Sequence, residues 1–418
     1  MPNTFIDVTN IYNQKFINGI PRIVLNLAKN LESQSESISL VVHQSSSFFT
    51  VTYVDLINSR INQVNLYSKI VSRFNLALTR IFHLIPQNNL KEFIRSNSYL
   101  VKIRRKKLSP HIVNGTKTIF THLDTILLAD IITDEVHIAS LLAAQRDKSL
   151  RIVALVYDLI PVFHPEYCVK SFLTIYPRYL KLVEKANSLI TVSNTTALEL
   201  SRYLEESFKG PIHTIFLPVN DFPECAHKST LQKYRDGSVF IYVSTIAPHK
   251  NHKRLIDAYL QIRLKHPGEI MPRLVLIAGT SWWKKNLKEY LTNAKENGYP
   301  IEILEKVEDC CLGYLYSVSR FSVYLSEFEG FGLPILESLA LRTPVLTSAI
   351  GSMLEVSNGG GAIAISPYEI TEIKQTLEAF MTNDDLINSL VDQITQRKFN
   401  YWDDYSKRIK EVLKSNEL

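Results

Sequence analysis

Two glutamates, Glu329 and Glu337, stand eight positions apart around the run Gly330-Phe331-Gly332-Leu333-Pro334. The run follows an apolar stretch, Ser322–Leu325, and leads into a second, so it reads as a loop between a strand and a helix. Pro334 suits a helix start, where its missing N–H costs nothing. Gly330 and Gly332 let the chain turn tightly and let its backbone approach a ligand. Free amides near Gly332 and Leu333, with the helix dipole behind them, make an anion site suited to a diphosphate. Glu337 then falls in the first turn or so of that helix, and Glu329 in the loop before it. Two carboxylates so placed contact different parts of one extended ligand. Each piece also has a plain reading: the dipole alone favours an acid near a helix start, and Gly-x-Gly turns are common. Taken together they form a more specific pattern.

A second such place is Tyr242-Val243-Ser244-Thr245-Ile246-Ala247-Pro248-His249-Lys250-Asn251-His252-Lys253-Arg254, where a strand runs into a cationic loop. Lys250 can neutralise a diphosphate leaving group, which gains charge in the transition state. A solvated basic helix start accounts for the same residues. His249 and His252 lack an evident third ligand, so they make a poor metal pair. Nearer the amino terminus, Asn18-Gly19-Ile20-Pro21-Arg22 enters an amphipathic helix, and Val156-Tyr157-Asp158-Leu159-Ile160-Pro161 closes an apolar strand just before His164-Pro165. Asp158 can act at a reaction centre or cap its own loop. Ser193 and Asn194 read as a helix cap.

The elements that must position these residues alternate. In the first half, strands are expected at Thr4–Val8, Ile38–Val42, Ile152–Val156, Leu189–Val192 and His213–Leu217. Helices are expected from Ile20 to Leu31, and at about 171–186 and 195–204. The second half alternates more cleanly. Its expected strands are 239–244, 274–278, 301–304, 322–325, 344–347 and 362–365, and its helices about 253–264, 284–297, 308–317, 334–340 and 369–380. Strands followed by helices of that length imply right-handed βαβ units on parallel sheets. Ligands bind outside the strand carboxyl ends of such sheets.

This arrangement resembles the family 4 glycosyltransferases of GT-B fold. The likeness rests on the Glu329…Glu337 pair around Gly-Phe-Gly-Leu-Pro. It continues through Arg342-Thr343-Pro344-Val345 and Gly351-Ser352-Met353-Leu354-Glu355-Val356. The resemblance implies an α/β protein of two Rossmann-like domains facing a central cleft. It implies residues 1–219 as the acceptor-side domain and 220–400 as the nucleotide-sugar-binding domain. Residues 401–418, beginning Tyr401-Trp402-Asp403-Asp404-Tyr405, become a helix packing back on the first domain. It also implies retention of anomeric configuration. Glu329, Lys250 and Asp158 are then the catalytic group. Gly19, Lys250, Glu329, Gly330, Phe331, Gly332 and Leu333 hold the donor sugar and phosphates, and Glu337 the nucleotide ribose. The sequence departs from the family at two places. Tyr157 stands where a histidine is frequent, and Ser244 and Thr245, then His249, occupy the positions where an arginine often accompanies the lysine. The overall pattern is similar to bacterial surface-polysaccharide transferases, including mannosyl- and rhamnosyltransferases of O-antigen or capsule pathways. The implied partners are a GDP-, UDP- or dTDP-linked sugar and a glycan or lipid-linked oligosaccharide acceptor. No cofactor or metal is implied.

Composition bounds these readings. The 418 residues suit two domains, and the apolar share of 45% against 21% charged is that of a globular protein. Net charge is +6, and ten Lys/Arg fall between Ser68 and Pro110 against one acid, Glu92. That basic stretch, interleaved with Ile70, Phe74, Leu78 and Phe82, fits an anionic membrane surface and equally a solvated helical insertion. No nucleic-acid-binding motif accompanies it. Cys168, Cys225, Cys310 and Cys311 form no CxxC pair and no cluster with zinc spacing, as expected in a reducing compartment. With no signal peptide and no long apolar run, the expected location is cytoplasmic, with peripheral attachment to the inner face of the membrane if the basic stretch binds lipid. No Gly-x-Gly-x-x-Gly follows the first strand, which argues against a nicotinamide enzyme, and no convincing Asp-x-Asp supports a metal-dependent transferase. The rival from another class is a catalytically inactive scaffold that keeps the fold and binds membrane or partner enzymes. Its mark would be a broken glutamate pair or a lost lysine, and both are intact here.

Overall fold

The computed structural model describes residues 2–12, 19–34, 37–59, 113, 115–235, 237–279, 290–291, 294, 296 and 298–415. The basic stretch 68–110 and most of the helix expected at 284–297 lie outside them. The chain divides into two compact units, Met1–Val153 and Ala154–Leu418.

The strands of the first sheet are β1 (Thr4–Asp7), β2 (Ile38–Gln44), β3 (Ser47–Val51), β4 (Thr116–Thr118), β5 (Thr125–Leu128), β6 (Arg151–Val156), β7 (Ser188–Thr191) and β8 (Ile212–Thr214). Their order is β4-β3-β2-β1-β5-β6-β7-β8. β1 pairs in parallel with β2 and β5, whereas β2, β3 and β4 form an antiparallel meander. The meander was not expected: β4 is three residues of Thr-Lys-Thr, too short and polar to show a period. The first unit also holds the helices α1 (Thr9–Tyr12), α2 (Ile20–Ser33) and α3 (Glu135–Lys148), and residues 53–59 are helical. α2 buries Ile23, Val24, Leu27, Ala28 and Leu31, the stripe its 3.6-residue period requires. Behind β1, buried Asp7 pairs with the His137 Nε2 of α3 at 2.7 Å.

In the second unit, α4 (Ile160–Phe163), α5 (Lys170–Glu184) and α6 (Asn194–Leu204) accompany β6–β8. The second sheet holds β9 (Val239–Thr245), β10 (Arg273–Gly279), β11 (Ile301–Glu305), β12 (Ser322–Tyr324), β13 (Val345–Ser348) and β14 (Ala362–Ile365). All its pairings are parallel, in the order β11-β10-β9-β12-β13-β14. Counted from β9 this is 3-2-1-4-5-6, the Rossmann order, whose direction reverses between β9 and β12. The helices here are α7 (His252–Lys265), α8 (Asp309–Val318), α9 (Leu333–Ala340), α10 (Gly351–Ser357), α11 (Ile370–Thr382), α12 (Asp384–Gln396) and α13 (Trp402–Lys414). A buried cluster of Val239, Ile241, Val275, Ile277, Leu315 and Tyr316 glues one face of the sheet to α8. The carboxy-terminal segment returns to β8: Asn400 donates to the Phe216 carbonyl at 2.9 Å, and Arg408 to that of Thr214 at 3.0 Å.

Candidate active site

The site forms where the second sheet reverses direction. β9 and β12 are neighbours, so the loops leaving their carboxyl ends emerge side by side. One carries Lys250 and the other Glu329. Both side chains are nearly buried, and the Lys250 ammonium forms an ion pair with Glu329 Oε1. Tyr324, the last residue of β12, ties the pair together. Its hydroxyl donates to Glu329 Oε1 at 2.8 Å and lies 3.2 Å from Lys250 Nζ. Tyr242 of β9 donates its hydroxyl to the Lys250 carbonyl, which fixes the loop below the ammonium. Burial alone would raise the Glu329 pKa. The Lys250 charge, with hydrogen bonds from Lys250 and Ser326, outweighs it, so the carboxyl is held below its ordinary value.

Neither neighbouring histidine adds a positive charge at neutral pH. Burial, then the charge of Lys250, lowers His249 to about 4 and His252 to about 3. His252 stacks on Tyr242 at 4.7 Å, and its Nε2 lies 3.0 Å from Ser244 Oγ. Arg254, in the first turn of α7, pairs with Glu327 at 2.6 Å, and Tyr167 donates to the other oxygen of Glu327 at 2.8 Å.

The glycine loop is pinned against the end of β6. A Cβ on Gly330 would lie 2.0 Å from the Tyr157 carbonyl oxygen and 2.8 Å from the Asp158 Cβ, so no larger residue fits there without displacing backbone. Its carbonyl accepts from Ser193 Oγ at 2.7 Å and from Thr196 Oγ1 at 3.1 Å. Ser193 also caps α6, as its type and place suggested. Ser352 of α10 donates to the Glu329 carbonyl at 2.7 Å. Gly332, at φ 103°, is the N-cap of α9; Leu333 and Pro334 open that helix, and Phe331 is buried against Phe216.

Asp158 is thereby brought up to the glutamate loop. Burial, then the negative charge of Glu329, lifts its pKa to about 6. Its Oδ1 accepts the Ile160 amide at 3.0 Å, so it does cap its own loop. Glu337 lies in the second turn of α9 rather than the first, because the helix begins at Leu333, and it is buried there. Asn220 Nδ2 donates to Glu337 Oε1 at 2.9 Å, and the Tyr316 hydroxyl lies 3.5 Å from Oε2. Gly19 belongs to the other unit, where at φ 60° it opens α2.

Lys250, Glu329, Asp158, Gly330, Phe331, Gly332, Leu333 and Glu337 thus share one region of the second unit. Sequence reasoning missed Tyr324 and Asn220. Tyr324 carried a faint signal, a polar-tipped residue ending an apolar strand just before the glutamate loop. Asn220 carried none, since its partner lies 117 residues away.

The class of protein follows from fold and domain together. Sucrose-phosphate synthase from Thermosynechococcus elongatus superposes with a TM-score of 0.60 over 99% of this chain and 98% of its own, at 14% identity. HepE of Anabaena, solved with UDP and glucose, gives 0.61 over 99% of both chains, also at 14% identity. The fold is therefore GT-B, with two Rossmann-like domains. Residues 226–397, which include Lys250, Glu329 and Glu337, match the family of glycosyl transferases group 1. Among characterised proteins it resembles O-antigen chain mannosyltransferase B of Escherichia coli, with 29% identity over 235 residues. That match covers 53% of this chain and 59% of the relative, less than two thirds of the latter's length. No helix among the described residues is long and apolar enough to cross a membrane.

Proposed function

We propose that the chain is a retaining glycosyltransferase that moves a hexosyl group from a nucleotide sugar to a glycan or lipid-linked acceptor in surface-polysaccharide synthesis. The observation that carries the proposal is the buried Lys250–Glu329–Tyr324 cluster at the sheet reversal, beside a glycine-led helix start. A buried ammonium next to helix-end amides suits a diphosphate that gains charge as it leaves. Glu329, kept ionised, suits the hydroxyls of the donor sugar as an acceptor. Glu337, fixed by Asn220, suits the ribose hydroxyls. Likeness to an O-antigen mannosyltransferase supports mannosyl as the first sugar to test, and a neighbour solved with UDP and glucose supports a nucleotide sugar as donor.

In the proposed reaction the bond from the anomeric carbon to the leaving phosphate oxygen breaks. A bond from that carbon to the acceptor oxygen forms on the same face, and the acceptor proton passes to the departing phosphate. Lys250 and the α9 amides stabilise the diphosphate, Glu329 and the amides after it orient the sugar, and Asp158 borders the reacting face. A lipid-linked acceptor would give the 68–110 stretch, which lies outside the described residues, an anionic membrane surface to meet.

Calorimetry with GDP-, UDP- and dTDP-sugars against wild type and Glu337→Ala tests the reading. One nucleotide sugar should bind wild type and lose most of its affinity for the variant. A folded protein that binds none of them would point instead to an inactive scaffold. Inversion at the anomeric carbon, seen by NMR of the product, would overturn retention.

A further inference from the structure

The cysteines show no metal spacing in the sequence, yet folding gathers three of the four. Cys225 Sγ lies 3.5 Å from Cys311 Sγ, although the two residues are 86 positions apart. Cys310 Sγ lies 3.8 Å from Cys311 Sγ, and all three sulfurs fall within 4.8 Å of one another. A tetrahedral zinc ion with Zn–S bonds of ~2.3 Å holds its sulfurs roughly 3.8 Å apart. Two of the three separations, 3.5 and 3.8 Å, are thus close to the edge of such a tetrahedron. None is in a disulfide.

The three sulfurs come from two segments that other contacts hold together. Cys310 and Cys311 are in the first turn of α8. Cys225 lies on the segment that runs from Asn220 toward β9. Phe222 on that segment packs so closely on α8 that a Cβ at Gly313 would meet its Cβ at 2.6 Å. Cys225 is buried, whereas Cys310 and Cys311 are half-buried, which leaves a path for an ion. Glu308, the N-cap residue of α8, has a carboxylate oxygen 3.9 Å from Cys310 Sγ.

We infer that Cys225, Cys310 and Cys311 form a structural site for a thiophilic divalent cation, zinc being the natural fit, with the fourth position left to a solvent ligand. Binding releases the three thiol protons to solvent and ties the segment after Asn220 to the start of α8. The site is separate from the Lys250–Glu329 cluster and independent of any activity assigned there.

The full chain, expressed with zinc and purified under reducing conditions, should hold about one zinc per molecule by mass-spectrometric metal analysis. Cys225→Ser and Cys311→Ser should each lose it, and Cys168→Ser, outside the cluster, should keep it. Cobalt added to the metal-stripped protein should give a sulfur-to-cobalt charge-transfer band and the strong visible absorption of tetrahedral cobalt, both absent in Cys225→Ser. If the serine variants fail to fold, the cobalt spectrum of wild type decides. Wild type with no stoichiometric metal and no charge-transfer band would overturn the assignment. So would a Cys225–Cys311 disulfide as the form isolated under those conditions, or zinc that survives Cys225→Ser in a folded protein.

Discussion

Two helices in this protein begin with nearly the same words. Gly19-Ile20-Pro21 opens α2, and Gly332-Leu333-Pro334 opens α9. Each glycine is the N-cap at positive φ, 60° and 103°, and each proline sits in the first turn, where no amide is missed. The local device is the same, but the surroundings differ. Among the described residues the space around Gly19 is open, with no atom within 4 Å of an added Cβ. Around Gly332 the Ile335 side chain stands at 3.1 Å, and two residues earlier Gly330 is pressed against the Tyr157 carbonyl. Gly19 is glycine because of its backbone angle, whereas Gly330 is glycine because of room. A helix start becomes a candidate site when other strand ends deliver a lysine, a tyrosine and a carboxylate to it.

The contrast can be tested hardest at the ion pair. Lys250→Met should lower turnover by about 100- to 1000-fold, the usual effect of removing one transition-state charge partner. It should also cost about 3–5 kcal/mol of stability in urea unfolding, because Glu329 is left buried and unpaired. Adding Glu329→Leu should return much of that stability and none of the turnover. If Lys250→Met leaves both unchanged, the pair is a surface ornament and α9 is no more a site than α2.

Glycine substitutions come next. Gly330→Ala should destabilise by about 3 kcal/mol through overpacking against backbone that cannot retreat. Gly19→Ala should cost about 1 kcal/mol, since only the dihedral is strained. Equal costs measured by thermal unfolding would mean that the Gly330 loop relaxes away from β6 and does not depend on that close approach.

A smaller effect is expected at Asn220. Asn220→Ala leaves Glu337 Oε1 without its amide donor and should weaken nucleotide-sugar binding roughly tenfold, about 1.4 kcal/mol. An unchanged Kd would show that Glu337 does not need that anchor.

The smallest concerns Asp158. Its folded pKa, about 6, lies above the ordinary value of 3.8. The folded state therefore holds this proton more tightly, and the stabilisation is fully present below pH ~4 and lost as pH rises through ~6. Wild-type stability should fall over that window more steeply than that of Asp158→Asn. Parallel profiles would show that Asp158 is not held in a buried position beside the charge of Glu329.

Much of the fold was legible because its signals are local. The six strands of the second sheet fall within a residue or two of the expected runs, and α2, α6, α7, α8 and α9 follow from their periods and end residues. The β3–β4 meander and α12 escaped, the first for want of length and the second because its polar face hides the stripe of Ile387, Leu390 and Ile394. The glutamate loop was also legible, since strand, glycine, proline and helix are written in order.

What the sequence determined, then, is whatever depends on neighbours along the chain: the periods of strands and helices, the glycine at a turn, the acid beside a helix start. Tertiary structure alone decided which ends meet. The sheet order sets β9 beside β12, and only then do Lys250, Glu329 and Tyr324 share hydrogen bonds. Folding likewise carried Asn220 to Glu337, Gly330 to Tyr157 and Cys225 to Cys311. Each of those contacts joins residues far apart along the chain, and no local pattern encodes a partner that folding must first bring into reach.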